Sequence, residues 1–313
     1  MTLEQIFKKL PLDNDGKLIE NGEFIESPRN MVMISFPKMG KTETFVNVPK
    51  ILIGDCQGGT DYYKANNTVD LTTYEADDEL TKLKSGGFNL SGIYETVLEL
   101  IKANRMKEYW ELYNKFRDSR GVDRKVIHQD LLDLIEGMPF PIFVIDPLTA
   151  LQELLKKAAL RDYNTQMGKN KTSISRVDDY GGAQYIRRTV FETKDFIENN
   201  AAPFIIYTGH IKEKKKILNK GADEINAADM DLQGTLSTIF TQNADAVCIF
   251  YRDEKGCWLD FQKKEETDLD SRPQHLASKL IKIADLHERD AQGNVIKRGN
   301  KYWEKVFPEV KFV

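Results

Sequence analysis

Short apolar runs, each closed by a polar or glycine-containing segment, recur along this chain. Met31–Ile34, Ile51–Gly54, Pro141–Asp146 (PIFVID), Pro203–Tyr207 (PFIIY) and Ala246–Tyr251 (AVCIFY) are of this kind. Unbroken apolar runs of that length read as strands buried on both faces, as in a parallel sheet, because a half-exposed strand would alternate. Between them lie stretches with helical spacing. Thr42–Val48 is a short helix closed by Pro49. Ser91–Gly137 is strongly helical: Tyr94, Leu98 and Ile101, then Met106, Trp110 and Tyr113, keep one face apolar, Gly121 breaks the run, and Val126–Ile135 resumes it. Ala183–Asn199 puts Ile186, Val190, Phe191 and Ile197 on a common face, and Leu236–Ala244 is a further helix. Strands alternating with helices predict an α/β fold with a mostly parallel central sheet flanked by helices.

The remaining segments are less regular. Leu160–Gly182 lacks apolar periodicity and reads as a long mobile loop, and Lys212–Asp231 is a second irregular stretch. Leu71–Gly87 holds one short strand and a polar loop. Cys257–Lys263 and Ala277–Ile283 are strand-like, with Asp268–Gln274 between them. Arg289–Gly293 reads as a turn and Tyr302–Val313 as an edge strand. At the N-terminus, Leu3, Ile6, Phe7 and Leu10 share a helical face, followed by turn signals at Asn14-Asp15-Gly16 and Asn21-Gly22. The expected organisation is an N-terminal arm over residues 1–29, a main domain over 30–285 with a helical crossover region at about 91–137, and a tail over 286–313 beside the core.

Candidate chemistry gathers where strands end. After Met31–Ile34 comes Ser35-Phe36-Pro37-Lys38-Met39-Gly40-Lys41-Thr42, then Glu43. Its last three positions match the phosphate-binding loop G-x-x-x-x-G-K-[ST], with Ser35 in place of the first glycine. Such a loop wraps an anion in successive backbone N–H groups, its lysine reaches the β- and γ-phosphates, and its hydroxyl holds Mg²⁺. An ordinary strand-to-helix turn is the alternative. Ile51–Gly54 ends in Asp55-Cys56-Gln57-Gly58-Gly59, at the carboxyl edge where open α/β sheets bind ligands. There Asp55 and Gln57 are site candidates, or Gly58-Gly59 only makes the turn. Asp146 closes a central strand, as an acid acting on Mg²⁺-nucleotide would. His210, just past Pro203–Tyr207, is a candidate sensor of a γ-phosphate, or simply a hydrogen-bonded histidine at a strand end.

Composition narrows the class. The chain has 313 residues, 41% of them apolar and 30% charged, with a net charge of −4. No stretch approaches the 18 or so apolar residues of a membrane helix, and residues 1–10 do not resemble a secretory signal. Three cysteines at no metal-ligand spacing suggest a reducing compartment. A cytoplasmic protein with no membrane association is therefore expected. The charge is segregated. From Leu151 to Lys220 there are 14 Lys/Arg against 8 Asp/Glu, a net of +6, which leaves −10 for the rest of a chain at −4. The two irregular stretches therefore face an anion, with nucleic-acid phosphate the obvious polyanion, or they are solvated loops kept soluble by lysine.

The order of these features resembles the RecA-like P-loop ATPase core, in particular the compact phage-encoded RecA-like proteins that act with single-strand annealing proteins. It runs phosphate loop, Asp-x-[Glu/Gln]-Gly-Gly, apolar strand ending in Asp-x-x-Thr, basic loop, strand ending near His, second loop, and Gly-Thr-Leu…Ala-Asp-Ala-Val. The resemblance covers roughly Asn30 to Leu276. It implies that ATP and Mg²⁺ are the cofactors, with Ser35, Pro37, Lys38, Met39, Gly40, Lys41, Thr42 and Glu43 around the phosphates and Thr42 and Asp146 on the metal. Asp55, Gln57, Asp146 and His210 would be the catalytic set. Lys169, Lys171, Arg176, Lys212, Lys214, Lys215, Lys216 and Lys220 would line a path for single-stranded DNA. Lys263, Lys264 or Arg272 would reach a neighbour's nucleotide in a homo-oligomeric ring or filament. A phage-encoded chain would act in the host bacterial cytoplasm, with a single-strand annealing or single-strand binding protein as a further partner.

Gln57 stands where that family has a glutamate that activates water. Glutamine orients water but takes no proton, so nucleotide binding is expected more firmly than fast hydrolysis, with Asp55 as a substitute base on the same strand face. Three functions follow as expectations: a DNA-dependent ATPase supporting recombination or annealing, a non-catalytic assembly protein held by bound ATP, and a helicase or packaging motor.

Overall fold

A computed structural model describes residues 24–72, 91–174, 181–216, 225–232, 236–262, 269–290, 292 and 295–312. The strands are β1 (Asn30–Ser35), β2 (Ile51–Asp55), β3 (Thr68–Asp70), β4 (Ile142–Asp146), β5 (Phe204–Lys216), β6 (Ile225–Met230), β7 (Ala246–Asp253), β8 (Gly256–Asp260), β9 (Asp270–Ser271), β10 (Leu280–Ala284), β11 (Glu288–Arg289) and β12 (Val295–Lys297). The α-helices are α1 (Lys41–Phe45), α2 (Ser91–Ala103), α3 (Met106–Asp118), α4 (Gly121–Gly137), α5 (Leu148–Met167), α6 (Gly181–Asn200) and α7 (Leu236–Thr241).

The fold is α/β, as the alternation of elements predicts. The main sheet runs β10-β8-β7-β1-β5-β4-β2-β3, with β6 paired to β5 and β9 to β7. The strands from β7 to β3 are parallel, and β8 and β10 extend the sheet antiparallel. Alternating side chains divide the core between its two faces. Met31, Met33, Ile142, Val144, Phe204 and Ile206 pack with α3, α4 and the C-terminal segment. Val32, Ile34, Phe143, Ile145, Ile205 and Tyr207 pack with α2, α5 and α6. Both faces being covered is why these strands carry no polar alternation. Among the described residues no helix is long and apolar enough to cross a membrane.

Several segments depart from the sequence expectation. The helix after the phosphate loop stops at Phe45, because Val46 is extended. Leu160–Gly182 is not one long loop: α5 continues to Met167 and α6 begins at Gly181. The apolar stripe of α5 is dense from Leu148 to Ala159, so its polar last turns extend a helix already anchored, until Gly168 ends it in the left-handed conformation at φ 58°. Phe191 does not face inward; it is 37% exposed, while Ile186, Val190 and Ile197 are buried. Lys212–Asp231 is largely a hairpin, with Lys212 opposite Asp229 and Lys216 opposite Ile225. Backbone pairing carries that ribbon, which explains the missing hydrophobic period. Two short strands, β11 and β12, flank the turn expected at Arg289–Gly293.

The tail is not an edge strand. It makes a single 3₁₀ turn, Trp303–Lys305, and sinks Trp303, Val306, Phe307 and Val310 into the core. The chain is tied to this tail from Glu26 onward: the Glu309 carboxylate accepts the Glu26 and Ser27 N–H groups and the Ser27 hydroxyl. The expected N-terminal helix at Leu3–Leu10, most of the Leu71–Gly87 loop, Arg176, Lys220, Lys263 and Lys264 lie outside the described residues.

Candidate functional site

Four strand ends meet at the carboxyl edge of the sheet. Ser35 pairs in register with His210, and Asp55 pairs with Asp146. The strand order puts β5 between the phosphate-loop strand β1 and the Asp146 strand β4. His210 is therefore delivered between the loop and the acid.

Lys41 is the centre of the constellation. Its Nζ donates to Ser35 Oγ at 2.8 Å and to His210 Nδ1 at 3.3 Å. Ser35 in turn donates to the Phe36 carbonyl at 2.8 Å. Lys41 is only 6% exposed. Burial pulls its pKa from 10.5 to about 8, against the opposing pull of Asp146. Because Nδ1 of His210 accepts from Lys41, Nε2 carries the ring proton. Burial and then Lys41 hold that imidazole below its ordinary pKa, against Asp146 and Asp231. A neutral His210 with its proton on Nε2 is a hydrogen-bond donor there, not a cation.

Thr42 donates from Oγ1 to Asp146 Oδ2 at 2.5 Å. The other Asp146 oxygen takes the hydroxyl of Thr208, two residues before His210, a residue that carries no motif signal of its own. Residues 36–40 form the loop itself. Lys38 and Gly40 have positive φ, 65° and 87°, and among the described residues no protein acceptor takes the N–H groups of Lys38, Met39 or Gly40. Such a turn leaves donors to face an anion.

Asp55, expected as a substitute base, is hydrogen-bonded at both carboxylate oxygens. Its Oδ1 accepts the N–H groups of Gln57 and Gly58, both at 2.9 Å, and its Oδ2 accepts the Thr60 N–H at 2.7 Å and hydroxyl at 2.6 Å. Burial pushes its pKa up, but the Thr60 hydroxyl and the backbone donors together outweigh this and hold it below the ordinary carboxylate value. A carboxylate so saturated shapes the turn, and its lowered pKa makes it a weak base. Asp55→Ala is expected to destabilise the fold by about 2–4 kcal/mol, through orphaned buried donors. In the wild type this stabilisation is full above the unfolded carboxylate pKa and is lost as pH falls through the lowered folded value. Urea unfolding of wild type and variant at pH 7 and in acid checks both statements. Gln57 is exposed and is joined to Asp55 through its backbone N–H.

Glu43 meets residues from distant parts of the chain. Its Oε1 accepts from His287 Nε2 at 3.0 Å, and its Oε2 lies 3.6 Å from Arg252 Nη1. Lys301 donates to the Glu43 and Val46 carbonyls, and the Trp303 indole N–H donates to the Thr44 carbonyl at 2.9 Å. The C-terminal segment thus grips α1 from behind. Arg252 alone was legible, as a polar residue at the tip of an apolar strand, the same signal as Asp146.

The remaining candidates lie apart from this cluster. Lys169 is exposed just past α5, and Lys171 exchanges backbone hydrogen bonds with the Asn164 side chain. Lys212, Lys214, Lys215 and Lys216 lie on β5 beyond its pairing with β1. Arg272 pairs with Asp245 at 3.1 Å. Asp245 Oδ2 also accepts the Arg29 and Asn30 N–H groups, which places Arg272 at the amino edge, across the sheet from its own phosphate loop.

The chain matches no protein-family model and no curated protein. Among solved structures it is similar to a KaiC-like protein from the hyperthermophilic archaeon Pyrococcus horikoshii, at 14% identity over 94% of this chain and 97% of that one, with a TM-score of 0.27. At that score the likeness carries no argument, and what this chain offers is its own geometry: an α/β core whose phosphate-loop lysine, hydroxyl and strand-end acid converge at one edge of the sheet.

Proposed function

We propose that this edge binds ATP with Mg²⁺ and that the chain is a RecA-like protein acting on single-stranded DNA in phage recombination or annealing, with slow hydrolysis. The observation that carries the nucleotide reading is the convergence of Lys41, Thr42, Asp146 and His210 around a loop with free N–H donors. Lys41 would meet the β- and γ-phosphates, and His210 Nε2–H would donate to a γ-phosphate oxygen. Thr42 and Asp146 are hard oxygen donors 2.5 Å apart, which suits Mg²⁺. Among the described residues no group of three or more His, Cys, Asp or Glu is placed to hold a metal by itself. This too fits Mg²⁺, which takes one or two protein oxygens plus phosphate and water. When bound, the ion would neutralise charge developing on the β- and γ-phosphate oxygens.

Single-stranded DNA would run along the basic ribbon β5–β6 and the segment after α5, with Lys169, Lys171, Arg176, Lys212, Lys214, Lys215, Lys216 and Lys220 as phosphate contacts. Affinity resting on phosphate contacts falls steeply with salt, and absence of binding at low salt would remove this part of the proposal. Arg272, on the opposite edge from its own loop, supports a role toward a neighbouring subunit in a ring or filament, with Lys263 and Lys264 as the other candidates.

The saturation of Asp55 favours a second reading, an assembly protein held by bound ATP, since it leaves Gln57 to orient water without a base. The deciding experiment is ATP turnover with and without single-stranded DNA, beside Lys41→Ala and Gln57→Glu. A low wild-type rate that Gln57→Glu raises by roughly tenfold or more is expected, because a positioned base contributes about 10²–10⁴-fold. Fast, lysine-dependent wild-type turnover would remove the assembly reading. Failure to bind ATP would remove both.

A further inference from the structure

We infer that Arg252 is a second phosphate-contacting cation of the nucleotide site, supplied by the same chain, and that Glu43 holds it in place until the nucleotide arrives. The inference rests on the nucleotide reading above and adds a residue to it. Arg252 lies near the end of β7, and β7 flanks β1 on the side away from β5. The phosphate loop is therefore bracketed, with His210 and Asp146 on one side and Arg252 on the other. A methyl group built on Gly40 would lie 3.5 Å from Arg252 Nη1. The guanidinium thus reaches the glycine that precedes Lys41, where a phosphate chain laid along the loop must pass.

The partners of Arg252 are unequal. Its distance to Glu43 Oε2 is 3.6 Å, well beyond the 2.7–2.9 Å of a charge-assisted hydrogen bond. Glu43 itself is fixed from the other side. His287 Nδ1 accepts the Gly299 N–H at 2.9 Å, so the neutral ring carries its proton on Nε2 and gives it to Glu43 Oε1 at 3.0 Å. Glu43 is therefore anchored by a directional bond to the C-terminal segment, whereas Arg252 is held loosely. The arginine is 35% exposed and can turn its planar fork toward a better anion. Two phosphate oxygens fit that fork, as a point-charge lysine would not. The charged groups around this flank are Arg252, Glu43, Lys301 and Arg298, with Lys41 and Asp146 on the far side; Glu43, Asp146 and Arg252 all act on Tyr63, and Glu43 and Arg298 act on Lys301.

A plain structural pin between α1 and β7 makes a different prediction, and two substitutions separate the cases. Titration of ATP and ADP, each with Mg²⁺, into wild type, Arg252→Met, Arg252→Lys and Glu43→Gln is the test, with thermal unfolding of each variant alongside. Arg252→Met should weaken both nucleotides by roughly tenfold to a hundredfold, the range of a lost hydrogen bond to a charged group. Arg252→Lys should fall between Met and wild type. Glu43→Gln should tighten binding, since it frees the arginine, and the gain should vanish in the Glu43→Gln, Arg252→Met double variant. Wild-type affinity in Arg252→Met, or a loss in Glu43→Gln equal to that in Arg252→Met, overturns the inference while leaving the nucleotide site standing. A wild type that binds neither nucleotide overturns both together.

Discussion

Replacing Lys41 with methionine is expected to abolish nucleotide binding and, at the same time, to make the nucleotide-free protein more stable. Lys41 is 6% exposed and its pKa falls from 10.5 to about 8, a cost on the order of 3 kcal/mol for keeping the charge in the fold. Methionine keeps most of the volume without the charge. Part of the gain is lost with the hydrogen bonds to Ser35 and His210, so a net increase of about 1–3 kcal/mol is expected. The pH dependence follows from the direction of the shift. Below pH 8 both the folded and unfolded chains hold the proton and the penalty is complete. Between about 8 and 10.5 the unfolded chain keeps a proton that the folded one has released, so wild-type stability rises with pH in this window and the advantage of the variant shrinks. Urea unfolding at pH 7 and pH 10 measures this directly. ATP with Mg²⁺ should raise the unfolding temperature of the wild type alone. A variant less stable than wild type at pH 7 would show that Lys41 serves the fold and not a ligand.

Trp303→Ala should be among the most destabilising single changes, at about 3–5 kcal/mol for a fully buried aromatic. The indole is 1% exposed and stacks on Phe45 with ring centroids 4.7 Å apart. Its N–H satisfies the Thr44 carbonyl, so alanine also orphans a buried acceptor. Thr44 and Phe45 lie on the same short helix as Lys41 and Thr42, so loosening them should weaken ATP binding in the same variant. Trp303→Phe keeps a ring against Phe45 and loses the hydrogen bond, and should cost about 1–2 kcal/mol. Thermal unfolding and ATP titration on the same preparations check both effects. A Trp303→Ala protein within about 1 kcal/mol of wild type would mean that the tail does not support the loop helix.

The parallel strands were legible because burial on both faces leaves a local mark: Ile142–Ile145 and Phe204–Tyr207 are apolar at every position, and all are buried. That the loop Ser35–Thr42 and Asp146 share one edge was legible for a similar reason, since a glycine-containing turn after a strand and an acid at a strand tip are short patterns. The β5–β6 hairpin was not, because its lysine-rich strand is carried by backbone pairing. Asp55 shows the limit most clearly. The sequence places it at the right edge beside Gln57, and only the folded turn, with Thr60 reaching back to it, makes it a structural group.

The sequence by itself determined the α/β class, the order of the sheet-forming segments and the loop that ends in Gly40, Lys41 and Thr42, since each depends on neighbours a few positions apart. The tertiary structure decided what surrounds that loop. Lys301 reaches Glu43 across 258 positions and Trp303 reaches Thr44 across 259, and Arg252 and His287 meet on Glu43 from separate parts of the chain. Contacts of that range leave no period or spacing in the sequence. They exist only because the sheet brings β7, β10 and the C-terminal segment against the short helix α1, where burial and hydrogen bonding set the charge state and position of each group.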